Sequence, residues 1–373
     1  MKRAISINII VLMLLSVVLS SSIYCEGSEV KNETEEYINE ILSCGKSHAA
    51  LVDSDGTIKM WGSNKDIQLG YFGIPFRNPY SVIFDELENY KAVAAGAHHT
   101  VAIKKDGTVW MSDNYKEPYQ VENLEKVSAV SAGFNFSVAV ENGKVWCWQF
   151  GSAWQLGLEN IRSVSAGYDH ALALSNTGKV YAWGDNQYGQ LGNELTSKAD
   201  QPVVIEDLQN IKSISAGQKF SAALTNDGSV MVWGNLPWND TDNVKKAPVE
   251  LEGLSDIKEI ACGYDHMLAL KSDGTVWAIG LNKYGQLGDG SKNARNTPVM
   301  VKNIDNISTV SAGDSFSLAM TNDGSLWAWG LNNMGQLRDM TYYDSVIPVL
   351  CYVDKEKPSA PYDIEVEVVG GSA

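Results

Sequence analysis

A glycine preceded by a small residue recurs seven times, at Gly45, Gly96, Gly133, Gly167, Gly217, Gly263 and Gly313, and no other feature constrains the fold as tightly. A second glycine follows each one eleven residues later, or ten in the third copy: Gly56, Gly107, Gly143, Gly178, Gly228, Gly274 and Gly324. Five of these follow Asp and one follows Asn. Asp-Gly and Asn-Gly favour tight primed turns, which need positive φ. Each copy therefore contains a β-hairpin, and a repeat of this period is the mark of a solenoid, propeller or array.

After the turn, Val276-Trp-Ala-Ile-Gly280 matches Leu326-Trp-Ala-Trp-Gly330 and Val180-Tyr-Ala-Trp-Gly184. Successive side chains of a strand point to opposite faces. Here both faces are apolar, so the strand is buried on both sides, as between the neighbouring small sheets of a ring. Upstream lie two more strand-like runs, for example Pro202 to Ile205 and Ile211 to Ser215 before the fifth copy. With the hairpin they make four strands, the size of a propeller blade. The first copy has a run at Ile38 to Ser43 but no Pro-Val strand before it, and Ile347 to Cys351 is a Pro-Val strand with no following copy. The fold class expected is all-β: a seven-bladed β-propeller over residues 37–353, closed by the C-terminal strand joining the first blade.

Most of the chemically suggestive residues fall on repeat positions. His48, His99, His170 and His266 stand three residues after the motif glycine, where other copies place Phe136, Phe220 and Phe316. A position that takes either His or Phe is a packing position, not a metal ring. His98 lies outside this register with no evident partner. Nine of the eleven Trp residues follow the turn glycine by three or five positions and belong to blade cores. Gly-Gln-Leu-Gly at 189–192 and 285–288 lacks the Lys-Ser/Thr ending of a phosphate loop and opens no helix. Asp/Asn-rich loops lack the spacing of a calcium loop. The five cysteines, Cys25, Cys44, Cys147, Cys262 and Cys351, show no CxxC spacing and are odd in number, so neither a zinc site nor a disulfide framework is indicated. No Ser-His-Asp, Cys-His or paired-carboxylate constellation can be placed, so no catalytic residue, metal or cofactor is expected.

The formal charge of −16 and the absence of a basic stripe exclude a phosphate-tracking surface, and with it nucleic acid as partner. Lys2 and Arg3 precede an apolar run from Ile5 to Leu19, and Ser20 and Ser22 offer a cleavage site. Residues 1–22 therefore read as an export signal, with an uncleaved anchor as the only route to a membrane. Residues 23–36 form an acidic spacer. Residues 354–373 are a linker and tail, in which Tyr362 to Val369 resembles the opening strand of a fibronectin type III module.

The segments from Ala261-Cys-Gly-Tyr-Asp-His266 to Ile279-Gly-Leu-Asn-Lys-Tyr-Gly-Gln-Leu-Gly288, and from Ser165-Ala-Gly-Tyr-Asp-His170 to Trp183-Gly-Asp-Asn-Gln-Tyr-Gly-Gln-Leu-Gly192, resemble the repeat of the regulator of chromosome condensation family. The resemblance covers about residues 38–352 and implies a seven-bladed propeller. The family's eukaryotic founder is a nucleotide exchange factor for a small GTPase. A secreted bacterial member inhibits β-lactamases through loop aromatics.

Repeated residues serve the core, so function is expected where the copies differ. The connections after each Trp-Gly segment vary in length, and loops on a rigid scaffold are where binding is built. The candidate partner-binding residues are Tyr71, Phe72, Phe76 and Tyr80; Trp238 and Asp240; Tyr342 and Tyr343; and Trp154, at a strand position that varies between copies (Val204, Glu250 and Met300). The expected function is an exported, monomeric, non-enzymatic scaffold, secreted or at the cell surface, that binds a protein or a cell-envelope glycan. A nucleotide exchange factor and a carbohydrate-active enzyme are the alternatives.

Overall fold

The computed structural model describes residues 41–351, apart from 72, 85–87, 114–115, 150–151, 195–196 and 239–243. The expected signal, spacer and tail lie outside the described residues. What is described is twenty-eight strands in seven antiparallel four-stranded sheets, arranged as a seven-bladed β-propeller. In the first blade β1 (Leu42–Cys44), β2 (His48–Val52), β3 (Ile58–Ser63) and β4 (Arg77–Ile83) lie side by side in chain order. The other six blades repeat that order. Their innermost strands, β5 (Tyr90–Ala95), β9 (Val127–Ala132), β13 (Ile161–Ala166), β17 (Ile211–Ala216), β21 (Ile257–Cys262) and β25 (Ile307–Ala312), line a central channel of about 880 Å³ with β1.

The expectation that each Pro-Val strand shares a blade with the hairpin after it is corrected by one strand. Met300 pairs with Trp277, and Val204 with Tyr181, so the Pro-Val strand is the outer edge of the preceding blade. β28 (Ser345–Cys351) accordingly pairs with β27 (Leu326–Gly330) and completes the seventh blade. It does not join the first, whose sheet is already filled by β1 to β4. The connection 205–210 has six residues, which reach ~20 Å and can recross a blade ~14 Å wide from outer to inner edge.

The hairpin turns are also of two kinds. In six copies only the glycine has positive φ, as in Gly56 at 83°, and Gly56 N–H donates to Asp53 O at 2.8 Å while Asp53 N–H donates to Thr57 O. This is a three-residue loop with a bulge at glycine. In the third copy Asn142 and Gly143 both have positive φ, 50° and 76°, which gives the two-residue primed turn. The copy with ten-residue spacing is thus the one with the shorter turn.

Seven equivalent seams close the ring. A β-carbon placed on any motif glycine would stand within 2.8 Å of the carbonyl oxygen of the next blade's motif glycine, around the whole circle from Gly45 to Gly313 and back to Gly45. No other residue allows this approach. At five seams the serine two residues before the motif glycine accepts from the next blade's backbone, as Ser215 Oγ does from Cys262 N at 2.9 Å. Seven apolar clusters lie mainly between blades. The one joining the seventh to the first contains Leu318, Leu326, Ala328 and Cys351 with Leu42, Leu51 and Trp61.

The His/Phe position follows a rule across these seams. His48, His99, His170 and His266 are buried and place Nε2 at 2.8–2.9 Å from Thr100, Ser137, Ser221 and Ser317 of the following blade. Phe136, Phe220 and Phe316 share clusters with Ala171, Met267 and Ala49 at the same position of their following blades. Ser317 donates its proton to Gln286 O at 2.9 Å, so the imidazole of His266 donates from Nε2, and burial holds it down at about 3, which keeps it neutral. The Gly-Gln-Leu-Gly loop therefore supplies a carbonyl to the next blade. Gln286 O also accepts from Trp329 Nε1 at 2.8 Å, and Gln190 O from Ser221 and Trp233 in the same way.

Candidate functional site

Antiparallel order puts two sets of loops on one face. The chain rises along each inner strand, turns at the motif glycine, descends, and rises again to the loop after Trp-Gly. The motif turns therefore surround the channel mouth, and the Trp-Gly loops surround those. The residues immediately after the motif glycine are Lys46, Ala97, Phe134, Tyr168, Gln218, Tyr264 and Asp314, and all of them line the mouth.

These side chains form one contiguous cluster. Phe134 and Tyr168 stack with ring centroids 3.9 Å apart, and Tyr264 meets Tyr168 edge-on at 6.2 Å. Lys46 Nζ stands 5.1 Å from the centre of the Phe134 ring. His98 packs edge-on against Phe134 at 5.0 Å and pairs with Asp66 at 2.6 Å, so it has the partner that the sequence did not reveal. Burial pushes Asp314 up to about 6, Lys46 opposes it and Asp265 adds to it. Burial also lifts Asp265 to about 6, against the pull of Lys219. The phenols of Tyr168 and Tyr264 are raised by burial first, then Tyr168 by Tyr264 and the nearby acids and Tyr264 by Asp314 and Asp265. The result is a half-buried aromatic platform with carboxylates held close beside it. Such a surface suits partner side chains that combine an apolar stem with a cationic or hydrogen-bonding head.

The residues expected from the loops are scattered by comparison. Phe76, Tyr80, Tyr342 and Tyr343 are exposed and flank the seam of the first and seventh blades, where Tyr342 Oη donates to Arg77 O at 3.4 Å. Tyr71 is half-buried, and its carbonyl accepts from Asn64. Trp238 is corrected: it is only 3% exposed and packs edge-on against Phe220 at 5.2 Å, so it belongs to the core. Trp154 is half exposed on the outer strand. It lies opposite Cys147, which makes Val203, Val249 and Val299 its counterparts, one residue from the alignment expected. Phe72 and Asp240 lie outside the described residues.

The central residues were missed because the motif turn looked invariant. Its glycine is, but the next position holds Lys, Ala, Phe, Tyr, Gln, Tyr and Asp in turn. That variability inside a fixed frame was the available signal. Among the described residues, no three His, Cys, Asp or Glu side chains gather at one point to hold a metal ion, and no helix is long and apolar enough to cross a membrane. Cys147 and Cys351 are buried, Cys44 and Cys262 half-buried, and burial raises all four thiols.

Comparison with known proteins agrees with this architecture. The RCC1-like domain profile matches residues 158–366, and the regulator of chromosome condensation (RCC1) repeat profile matches residues 41–68. The ultraviolet-B receptor UVR8 of Arabidopsis thaliana is 30% identical over 185 residues, which is 40% of this chain and 42% of the receptor. The human E3 ubiquitin-protein ligase HERC2 is 30% identical over 204 residues, 45% of this chain and 4% of the ligase. The matches thus span less than half of either relative. Among solved structures, Prp20p from Saccharomyces cerevisiae superposes with a TM-score of 0.73 at 22% identity, covering 86% of this chain and 89% of that one. The ectodomain of the Arabidopsis thaliana receptor kinase ACR4 follows at 0.54 and 15%, with 83% and 98% covered. At those identities the likeness is one of fold. With the profile match extending over more than half its length, this chain belongs to the RCC1-like repeat family.

Proposed function

We propose that this protein is an exported, non-enzymatic propeller that binds a protein partner through the channel mouth of its loop face. The observation that carries the reading is the Phe134–Tyr168–Tyr264 array with Asp265 and Asp314 beside it. These residues differ from copy to copy, so the repeat does not require them for packing. Aromatics in a partly desolvated setting are the residues that dominate protein interfaces. The name of one similar structure records binding of Prp20p to Gsp1p and histones, and another shows yeast RCC1 bound by Kap60. Both support a protein as the class of partner. Export rests on the basic head and apolar run of residues 1–22.

Two measurements test this. The mass of the N-terminus in secreted and envelope fractions tests export, and recovery only of intact, intracellular chain contradicts it. Capture from those fractions by the full chain tests binding. A partner lost on Tyr168→Ala supports the mouth, whereas equal recovery by both proteins removes it. Recovery of glycan in place of protein would favour the cell-envelope alternative. Exchange of nucleotide on a small GTPase or turnover of polysaccharide would contradict the scaffold reading.

A further inference from the structure

We propose that the opposite end of the channel is a binding site for a small multivalent oxyanion, held by Arg162, Lys212 and Lys258. The three occupy the second position of β13, β17 and β21, in three consecutive blades, and all line the channel. This end is the one where inner strands begin, away from the aromatic mouth, so the site is independent of the proposed protein interface.

Each charged head lies across the next blade's inner strand. Arg162 Nη2 donates to Ile211 O at 3.1 Å and Lys212 O at 2.8 Å. Lys212 Nζ reaches Lys258 O at 3.4 Å, and Lys258 Nζ reaches Ile307 O at 3.3 Å. The charges therefore stand one blade apart around the rim. In a chain of net charge −16, none of the three makes an ion pair with a described residue. Arg162 Nε is buried and meets no acceptor among the described residues.

Glu259 also lines this channel, but its Oε1 is held by the inner strand of the next blade. Its Oε1 accepts from Thr309 Oγ1 at 2.8 Å and from Val310 N–H at 3.2 Å. Burial pushes it up to about 7, against the hydrogen bonds from Val310 and Thr309 and the weaker pull of Lys258 and Lys212. Ser163 and Ser213 line the channel nearby and add hydroxyl donors. Three unpaired cations on one arc, with a buried guanidinium N–H to spare, match an anion that offers several oxygens at once. A single charge would engage one head and stay screened by salt.

The probes are inorganic pyrophosphate and citrate, titrated into the full chain against potassium chloride of equal ionic strength. Binding is read by thermal shift and, for pyrophosphate, by phosphorus NMR line broadening. The proposal expects a rise in Tm of ~3 °C or more at saturating anion. The rise vanishes in Arg162→Gln/Lys212→Gln/Lys258→Gln and persists in Lys283→Gln/Lys302→Gln. Binding of either anion supports the site, and their ratio identifies the preferred headgroup. If the triple variant does not fold, Lys212→Gln decides, because its side chain is exposed: the proposal expects affinity to fall about fivefold or more. No shift beyond chloride, or an unchanged affinity in the variants, overturns it.

Discussion

Replacing His266 and Ser317 together by Phe and Ala converts one hydrogen-bonded seam into the apolar pair used at Phe316 and Ala49, and the effect should depend on pH in a calculable way. Burial holds His266 at about 3, far below its ordinary 6.5. The unfolded chain therefore binds the proton that the folded chain refuses. The stability that neutral His266 confers is complete above pH 6.5 and is withdrawn as pH falls from 6.5 toward 3. The slope is ~1.4 kcal/mol per pH unit, so about 2 kcal/mol is gone at pH 5. Asp265, Asp314 and Glu259 have raised values and act with the opposite sign, but they are common to both proteins and cancel in the difference. Phe fits over a motif glycine, since Phe220 and Phe316 already stand over Gly217 and Gly313 as His266 does over Gly263. Urea unfolding followed by Trp fluorescence at pH 8, 7, 6 and 5 measures the difference. Near pH 8 the double variant should lie within ~1.5 kcal/mol of the parent. By pH 5 the balance should have moved ~2 kcal/mol toward the variant. Ser317→Ala alone should cost ~1–3 kcal/mol, because it leaves the buried Nε2–H without its acceptor. A difference that stays flat across pH would refute the claim that these histidines are neutral seam elements.

Three further outcomes follow from the same structure. Gly263→Ala should destabilise the ring by ~3 kcal/mol or more, measured by urea unfolding, because its methyl meets Gly313 O; Gly157→Ala, which has open space around it, should be near neutral. Trp238→Ala should cost ~3–5 kcal/mol as a core truncation, whereas Tyr343→Ala should stay within ~0.5 kcal/mol in the same assay. Glu259→Gln keeps both hydrogen bonds to Oε1 and removes a buried charge whose stability cost grows as pH rises from 4.5 to about 7, so it should raise stability by ~1–3 kcal/mol at pH 8 and change little at pH 4.

Most of the architecture was legible because the repeat writes it seven times. The motif glycines, the turn glycines and the Trp-Gly strands each fall where the ring needs them. What was not legible was the phase of the blade, since strand pairing depends on which edge a six-residue connection reaches, and loop length alone does not say. The His/Phe rule was present in the sequence but unnoticed. Each His is followed, one copy later, by Thr100, Ser137, Ser221 or Ser317, and each Phe by Ala171, Met267 or Ala49. For the proposed site, the signal in the sequence is the set of positions that differ between copies. Among the loops of variable length that signal also picks out Trp238, which packs in the core against Phe220. The varying residues at the channel mouth sit inside the most regular part of the motif, and only the sevenfold closure brings Phe134, Tyr168, Tyr264 and Asp314 together.

The central claim is that partner binding belongs to this mouth and not to the exposed aromatics at the rim. The direct measurement is quantitative capture from secreted and envelope fractions by three forms of the full chain: unaltered, Tyr168→Ala/Tyr264→Ala, and Tyr342→Ala/Tyr343→Ala. The account predicts that a partner recovered by the unaltered chain is lost with the first variant and retained with the second. Retention with the first and loss with the second would contradict it.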